Sequence, residues 1–431
     1  MLNIKLQIRL MTKFGLVCLF LLPFLFRTSY AQKTKIGFPV LVLPAESFIS
    51  NSGNVSVIGE EKKRVEVKAN AEQAFLNYKI NIPVAGRYSI RIYAKDVKGK
   101  SLVCWLEDYV DNKDGRNYNI TGNMTFDESL KGSQYTPKDG APLAANLHYI
   151  KLYVANGELT LEKLTFTLLK EHKSSPTVFK QNMTGKDWNL VWSDEFNGQG
   201  LPDNSKWNYD LGNWGWGNNE LQYYTVKRVQ NARQEKGNLI VEARKNDNGH
   251  AWSSARLTTR GLQSFVYGKI EIRAKVASGL GSWSAGWLLG DDYVDELSWP
   301  YCGEIDVMEN VGFEIDKSTE DGLTHASLHC GAYYFKLRNQ PTAITEVASM
   351  SNSFHTYTME WYPDSILIGV DQKKYFKYKD KSSLLAWPFD KPQNLILNLA
   401  IGGGWGGAKG VDSTMTSQRL IVDYVRVFQL K

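Results

Sequence analysis

The sequence predicts an all-β protein made of two β-sandwich domains. Apolar residues alternate with polar ones in many short runs, the pattern of half-buried strands. Turn signals such as Pro83-Val84-Ala85-Gly86 separate the runs, and no stretch makes a convincing amphipathic helix. The chain has 431 residues, more than one ordinary domain holds.

Lys5, Arg9 and Lys13 precede an apolar run from Phe14 to Phe26, and Ser29-Tyr30-Ala31 stands before Gln32. That succession reads as a cleaved signal peptide over 1–31, with the mature protein secreted or periplasmic. The run of 13 residues is too short to span a bilayer comfortably, and no later stretch is long and apolar enough. Residues 33–169 make the smaller sandwich, with alternating runs at 75–82, 88–94 and 149–154. Residues 170–187 open with Lys170-Glu171-His172-Lys173-Ser174-Ser175-Pro176, polar and rich in breakers, and read as a linker. Residues 188–431 repeat the strand habit on a larger scale, as in 267–276, and close on a strand at 420–428.

The leader holds four basic residues and no acids, so the mature chain carries 47 Lys and Arg against 45 Asp and Glu. A net charge of +2 gives a nucleic-acid partner no support. Aromatics are 12% of the chain, with 13 Trp, which suits stacking on sugar rings as well as ordinary core packing. Cys104, Cys302 and Cys330 remain after processing; the odd number leaves at least one thiol free or in an intermolecular bond, and a Cys302–Cys330 bridge is open in an oxidising compartment.

The most informative six residues are Glu304-Ile305-Asp306-Val307-Met308-Glu309. Ionised carboxylates rarely sit in an apolar strand without a task, because unpaired burial is costly. Alternation puts Glu304 and Asp306 on one face and Ile305 and Val307 toward the core. Strict alternation would turn Glu309 inward; a β-bulge at Val307-Met308 returns it to the acidic face. Two carboxyls on one face are what glycoside hydrolysis uses. An exposed strand edge carrying acids for solubility is the bland alternative.

The downstream region resembles the laminarinase-like branch of glycoside hydrolase family 16. The resemblance runs through Trp192-Ser193-Asp194-Glu195-Phe196, Gly217-Asn218-Asn219-Glu220-Leu221-Gln222-Tyr223-Tyr224 and Ser254-Ala255-Arg256-Leu257-Thr258-Thr259. It continues through Gly286-Trp287-Leu288-Leu289-Gly290, the acidic hexapeptide and Val422-Asp423-Tyr424-Val425-Arg426-Val427. It implies a β-jelly-roll with an open cleft on a concave sheet, acting on β-glucan with retention of configuration. It also implies Glu304 as nucleophile, Glu309 as general acid/base and Asp306 as the residue that holds and tunes them, with no cofactor in the chemistry. Asn218, Arg256, Trp283, Trp287, His329 and Trp405 are the implied sugar contacts. Glu195 and Asp423 match acids that bind a structural calcium in many members. The upstream domain more loosely resembles family 6/35-like carbohydrate-binding sandwiches, through Ala45-Glu46-Ser47-Phe48, 74–78 and 84–88.

Two other motifs fail their context. His325 and His329 lack the glutamate of a zinc-protease helix, and on a strand their spacing merely puts both on one face. Gly402-Gly403-Gly404-Trp405-Gly406-Gly407 satisfies G-x-G-x-x-G but opens no helix. The expected substrate is β-1,3-glucan and the expected state a monomer. Mixed-linkage β-1,3-1,4-glucan, a galactan, a transglycosylase activity and a non-catalytic glucan-binding protein are the alternatives. The stretch Cys330-Gly331-Ala332-Tyr333-Tyr334-Phe335-Lys336 departs from the Pro-Gly-Tyr run common in laminarinases and leaves fine specificity open.

Overall fold

Strands account for nearly all the regular structure of the computed structural model, which describes residues 40–69, 72–99, 102–109 and 116–431. The leader 1–31 lies outside the described residues. Among those described there is no α-helix, only three single 3₁₀ turns, at Ala45–Ser47, Gly312–Glu314 and Phe335–Leu337.

In the smaller sandwich the burial follows the sequence alternation. Leu102–Tyr109 buries every second residue, as does Arg64–Ala69, so one face of each strand meets the opposite sheet. One sheet is ordered Gln134–Leu143, Gly86–Lys98, Gly157–Glu171, Arg64–Ala69, Asn54–Ile58, with Val40–Pro44 also on Gly157–Glu171. The facing sheet runs Ser50–Ser52, Ala74–Ile82, Asn146–Val154, Leu102–Tyr109, Asn117–Asn119, with Met124–Phe126 also on Leu102–Tyr109. Leu76, Tyr78, Ile90, Leu152 and Phe166 fill the space between them.

The larger sandwich pairs a sheet that carries the acidic strand with a sheet centred on Ser417–Leu430 and Gly268–Lys275. The path of the first runs Thr177–Lys180, Gln263–Val266, Gln393–Ile401, Ser282–Gly290, Glu304–Val311, Gly322–His329, Thr342–Val347. Ile272, Val307, Leu328, Trp361 and Leu397 belong to the core between the sheets. The stretch read as a linker is only partly one. The last strand of the smaller sandwich extends to Glu171, and Thr177–Lys180 pairs in parallel with Gln263–Val266. The breaker-rich residues around it mask the alternation of Thr177-Val178-Phe179-Lys180 in sequence.

The two sandwiches are packed together. Asn213 N–H donates to the Asp139 carbonyl at 2.9 Å, and Asp139 N–H donates to Asn213 Oδ1 at 3.0 Å. The approach needs glycine on both sides: a Cβ on Gly140 would lie 1.9 Å from the Leu211 carbonyl oxygen, and one on Gly212 would lie 1.9 Å from that of Asp139. Beyond this contact, Trp214, Trp216 and Tyr224 of the larger sandwich join the buried cluster of the smaller one. Such rings bury roughly 150–250 Å² each, so the contact is a shared core rather than a tether. Buried His148 bonds Asp108 Oδ2 at 2.6 Å through Nδ1 and the Ala144 carbonyl at 2.9 Å through Nε2; Ala144 N–H in turn reaches Asp295 Oδ2 at 3.3 Å.

Candidate active site

The acidic strand Glu304–Val311 lies between Ser282–Gly290 and Gly322–His329. Against Gly322–His329 the register runs Glu304 to His329 and Asp306 to Ser327, then shifts before Glu309 to His325. Against Ser282–Gly290 it shifts between Gly286 and Trp287. Both ladders therefore place the extra residue at Val307–Met308, and both of those side chains go into the core. The bulge leaves Glu304, Asp306 and Glu309 together on the cleft wall. Gly303, at φ +79°, leads into the strand; a Cβ there would come 2.9 Å from Pro388 Cγ.

Each glutamate is held by an indole. Trp299 Nε1 donates to Glu304 Oε2 at 3.0 Å, and Trp283 Nε1 donates to Glu309 Oε1 at 3.0 Å. Asp306 is 3% exposed, and its Oδ2 has no protein hydrogen-bond donor. His329 Nε2 stands 3.4 Å from that oxygen and 3.8 Å from Glu304 Oε1. Burial, then the Asp306 charge, pushes Glu304 up to about 8, with His329 pulling the other way. Burial also raises Asp306 and Glu309 well above the carboxylate range, and Asp306 adds to the shift of Glu309. The three therefore titrate as a coupled group.

The remaining expected residues gather in the same cleft of about 440 Å³, within the roughly 300–1,000 Å³ typical of ligand sites. Trp287 Nε1 donates to Asn398 Oδ1 at 2.7 Å, which fixes the ring. Arg256 sits between two indoles, 4.8 Å from Trp216 and 4.7 Å from Trp287, and its Nε donates to Asp210 Oδ2 at 2.9 Å. At 9% exposure Arg256 shapes the cleft by holding aromatic walls more than by offering itself to solvent. Trp405 stands edge-on to Trp283 at 5.2 Å and to His325 at 4.8 Å, in a turn after Gln393–Ile401 with no helix behind it. His325 Nε2 bonds Glu314 Oε2 at 2.8 Å. Asn218 Nδ2 reaches Glu220 Oε1 at 3.4 Å, and Gln222 holds the other oxygen of Glu220 at 2.6 Å.

Sequence reasoning passed over Trp299, Tyr293, Glu296 and Asn398, all of which line the cleft. Burial raises both Glu296 and Glu220, the latter to about 7. A tryptophan five residues before Glu304 and an acid in an aromatic-rich loop were the available signals.

Glu195 and Asp423, expected as calcium ligands, are each paired with an arginine: Arg426 takes Glu195 in a two-pronged pair at 3.0 and 2.7 Å, and Arg273 bonds Asp423. With an arginine on each carboxylate, the donor set as placed does not fit calcium. Cys302 and Cys330 are not bridged; with Cys104 they are buried free thiols, Cys302 packing beside Tyr293 and Trp299 and Cys330 in the inter-sheet core. Among the described residues two groups of three ligand-type side chains cluster, Glu304–Asp306–His329 and Asp108–His148–Asp295. In the second, both imidazole nitrogens are already engaged. No helix among the described residues is long and apolar enough to cross a membrane.

Residues 219–426 match the family model described as glycosyl hydrolases family 16. The chain is 45% identical over 250 residues to a beta-glucanase of Rhodothermus marinus, a span that is 56% of this chain and 85% of that protein. It superposes on the solved laminarinase of the same organism with a TM-score of 0.53 and 45% identity, covering 56% of this chain and 98% of that one. SCLam, a solved non-specific endo-β-1,3(4)-glucanase from family GH16, gives a TM-score of 0.52 at 41% identity, covering 59% and 98%. With that likeness extending over nearly the whole of two solved glucanase structures, this chain is a glycoside hydrolase and belongs to glycosyl hydrolases family 16.

Proposed function

We propose that the chain is a secreted endo-hydrolase of β-1,3-glucan that works by double displacement with retention. The observation that carries this reading is the bulge at Val307–Met308, which turns Glu304 and Glu309 onto one cleft wall with Asp306 between them. In the first step a Glu304 oxygen bonds the anomeric carbon as the glycosidic C–O bond breaks, and the Glu309 proton goes to the departing oxygen. In the second, Glu309 takes a proton from water, which attacks the same carbon and frees Glu304. The pair must titrate apart for this to work, and once Glu304 is ionised its charge favours the protonated form of Glu309. His329 favours the charged form of Glu304, and Trp299 and Trp283 fix the two carboxyls.

Trp283, Trp287 and Trp405 supply flat apolar faces for pyranose rings, and Asn218 supplies an amide at the rim. The similarity to a beta-glucanase and to a laminarinase supports glucan as substrate. Mixed-linkage β-1,3-1,4-glucan is the second reading, favoured by the likeness to SCLam with its β-1,3(4) activity. Digests of laminarin and barley glucan, followed by proton NMR of the first product, test both points. The β-anomer should appear first; an initial α-anomer would contradict retention. For secretion, the expected mature N-terminus is Gln32, which N-terminal sequencing of exported protein checks.

A further inference from the structure

Beside the cleft, where the two sandwiches meet, lies a second cavity of about 490 Å³ that catalysis does not use. Its walls bring together Arg87 and Lys170 of the smaller sandwich, His172 just beyond it and Arg260 of the larger one. The only carboxylate buried in its walls is Asp210, which is divided between two arginines: Arg256 Nε at 2.9 Å and Arg87 Nη2 at 3.7 Å. Glu171 and Lys173 also line it, both exposed. Arg260 spends its Nε on Asn394 Oδ1 at 2.8 Å, and Lys170 Nζ donates to the Tyr209 carbonyl at 3.0 Å.

Two guanidinium nitrogens are left over. Arg87 Nη1 and Arg260 Nη2 are buried with no hydrogen-bond acceptor from the protein, and each side chain belongs to a residue only 8% exposed. Buried donors of this kind almost always have a partner, and a buried cation without one is costlier still. Arginine cannot escape by releasing its proton, whereas lysine and histidine can. Burial pushes Lys170, His172 and Arg260 toward their neutral forms, and Arg87 pushes each of them further in that direction. Asp210 moves the other way: burial opposes its ionisation, but Arg87, Arg256, Arg260 and Lys170 together hold it well below the carboxylate range. Asp210 and the exposed Glu171 are outnumbered by Arg87, Lys170, Lys173 and Arg260, which leaves the lining of the pocket positive.

The geometry points to an oxyanion site in this cavity, in which a sulfate, phosphate or carboxylate group bridges Arg87 Nη1 and Arg260 Nη2 and ties the two sandwiches together. The ring of Tyr293 carries both arginines, at 5.5 Å from Arg87 and 4.9 Å from Arg260, and the same residue lines the catalytic cleft. Filling the site would therefore stiffen one cleft wall from behind. The anion has two possible sources, a free inorganic ion and an acidic substituent on a saccharide.

Thermal unfolding of the full chain, titrated with sodium sulfate against sodium chloride at matched ionic strength, tests the site. The expected result is a saturable rise in Tm of about 4 °C at a hundredfold excess over Kd, above the slow general rise that sulfate gives any protein. The saturable part should vanish in Arg260→Gln and weaken in Lys170→Met. Because Arg260→Gln risks misfolding, crystals of the unaltered protein soaked in selenate give an independent reading, with an anomalous peak expected between Arg87 and Arg260. Competition by glucose 6-sulfate that is stronger than by inorganic sulfate would assign the anion to a saccharide, and weaker competition to a free ion. A sulfate effect that does not saturate and is the same in Lys170→Met, with no selenate peak, would overturn the proposal.

Discussion

The catalytic cleft and the cavity beside it are both lined by buried ionisable groups, mostly acids in the cleft and mostly bases in the cavity. The cleft collects Glu220, Glu296, Glu304, Asp306 and Glu309; the cavity collects Arg87, Lys170 and Arg260 around Asp210. Burial acts on both sets in the same way, by disfavouring charge, but the responses differ. Carboxyls become neutral by keeping a proton, and the cleft acids are all raised. Guanidinium groups stay charged and need a counter-charge in place. Tyr293 and the Asp210–Arg256 pair form the seam between the two regions. The cleft can thus hold protons ready for transfer, while the cavity has to be held together by ion pairs.

This contrast can be broken from the cleft side first. Glu304→Gln and Glu309→Gln should each lower kcat on laminarin by about 10³-fold or more while binding and folding persist, as expected when a nucleophile or proton donor is lost. Steady-state rates with circular dichroism check this. From the cavity side, Asp210→Asn leaves Arg87 and Arg256 buried without a carboxylate. Loss of one partner of a buried pair costs about 3–5 kcal/mol, to be seen in chemical denaturation. A smaller loss is expected from Gly212→Ala, whose new methyl would meet the Asp139 carbonyl, as a fall in Tm with the cleft chemistry intact.

The subtlest prediction concerns pH. Glu304 is raised to about 8 in the folded protein from an ordinary value of 4.5, so the fold holds a proton that the unfolded chain releases. Its contribution to stability is complete below about pH 4.5 and is lost as pH rises through 8. Glutamine at 304 never ionises. Glu304→Gln should therefore melt at the wild-type temperature near pH 4.5 and above it near pH 8.5, a difference that paired melting curves detect.

Much of this was legible in the sequence, and the parts that were not have physical reasons. Alternation placed the strands at 75–82, 88–94 and 149–154 within the observed Ala74–Ile82, Gly86–Lys98 and Asn146–Val154. Strand parity alone required a bulge to bring Glu309 to the face of Glu304, and both ladders shift at Val307–Met308. The seam was not legible, because contacts such as Asp139 to Asn213 join residues far apart in sequence and depend on glycines that read only as turn formers. Arg256 could be assigned to the cleft from resemblance, yet its place between Trp216 and Trp287 needs three separate segments. The partners of the acids and cysteines were not legible for the same reason: composition offers Glu195, Asp423, Cys302 and Cys330 as ligands or bridges, while the fold hands the acids to arginines and the thiols to separate apolar pockets.

The central claim is that the bulged strand presents Glu304 as the nucleophile and Glu309 as the proton donor. The most direct test is to trap the glycosyl-enzyme with a 2-fluoro-substituted β-glucoside that slows the second step, then digest the protein and locate the sugar by mass spectrometry. The account predicts one added glycosyl group per chain, in ester linkage to Glu304. A label on Glu309 or Asp306, or turnover through an inverted product with no label at all, would contradict it.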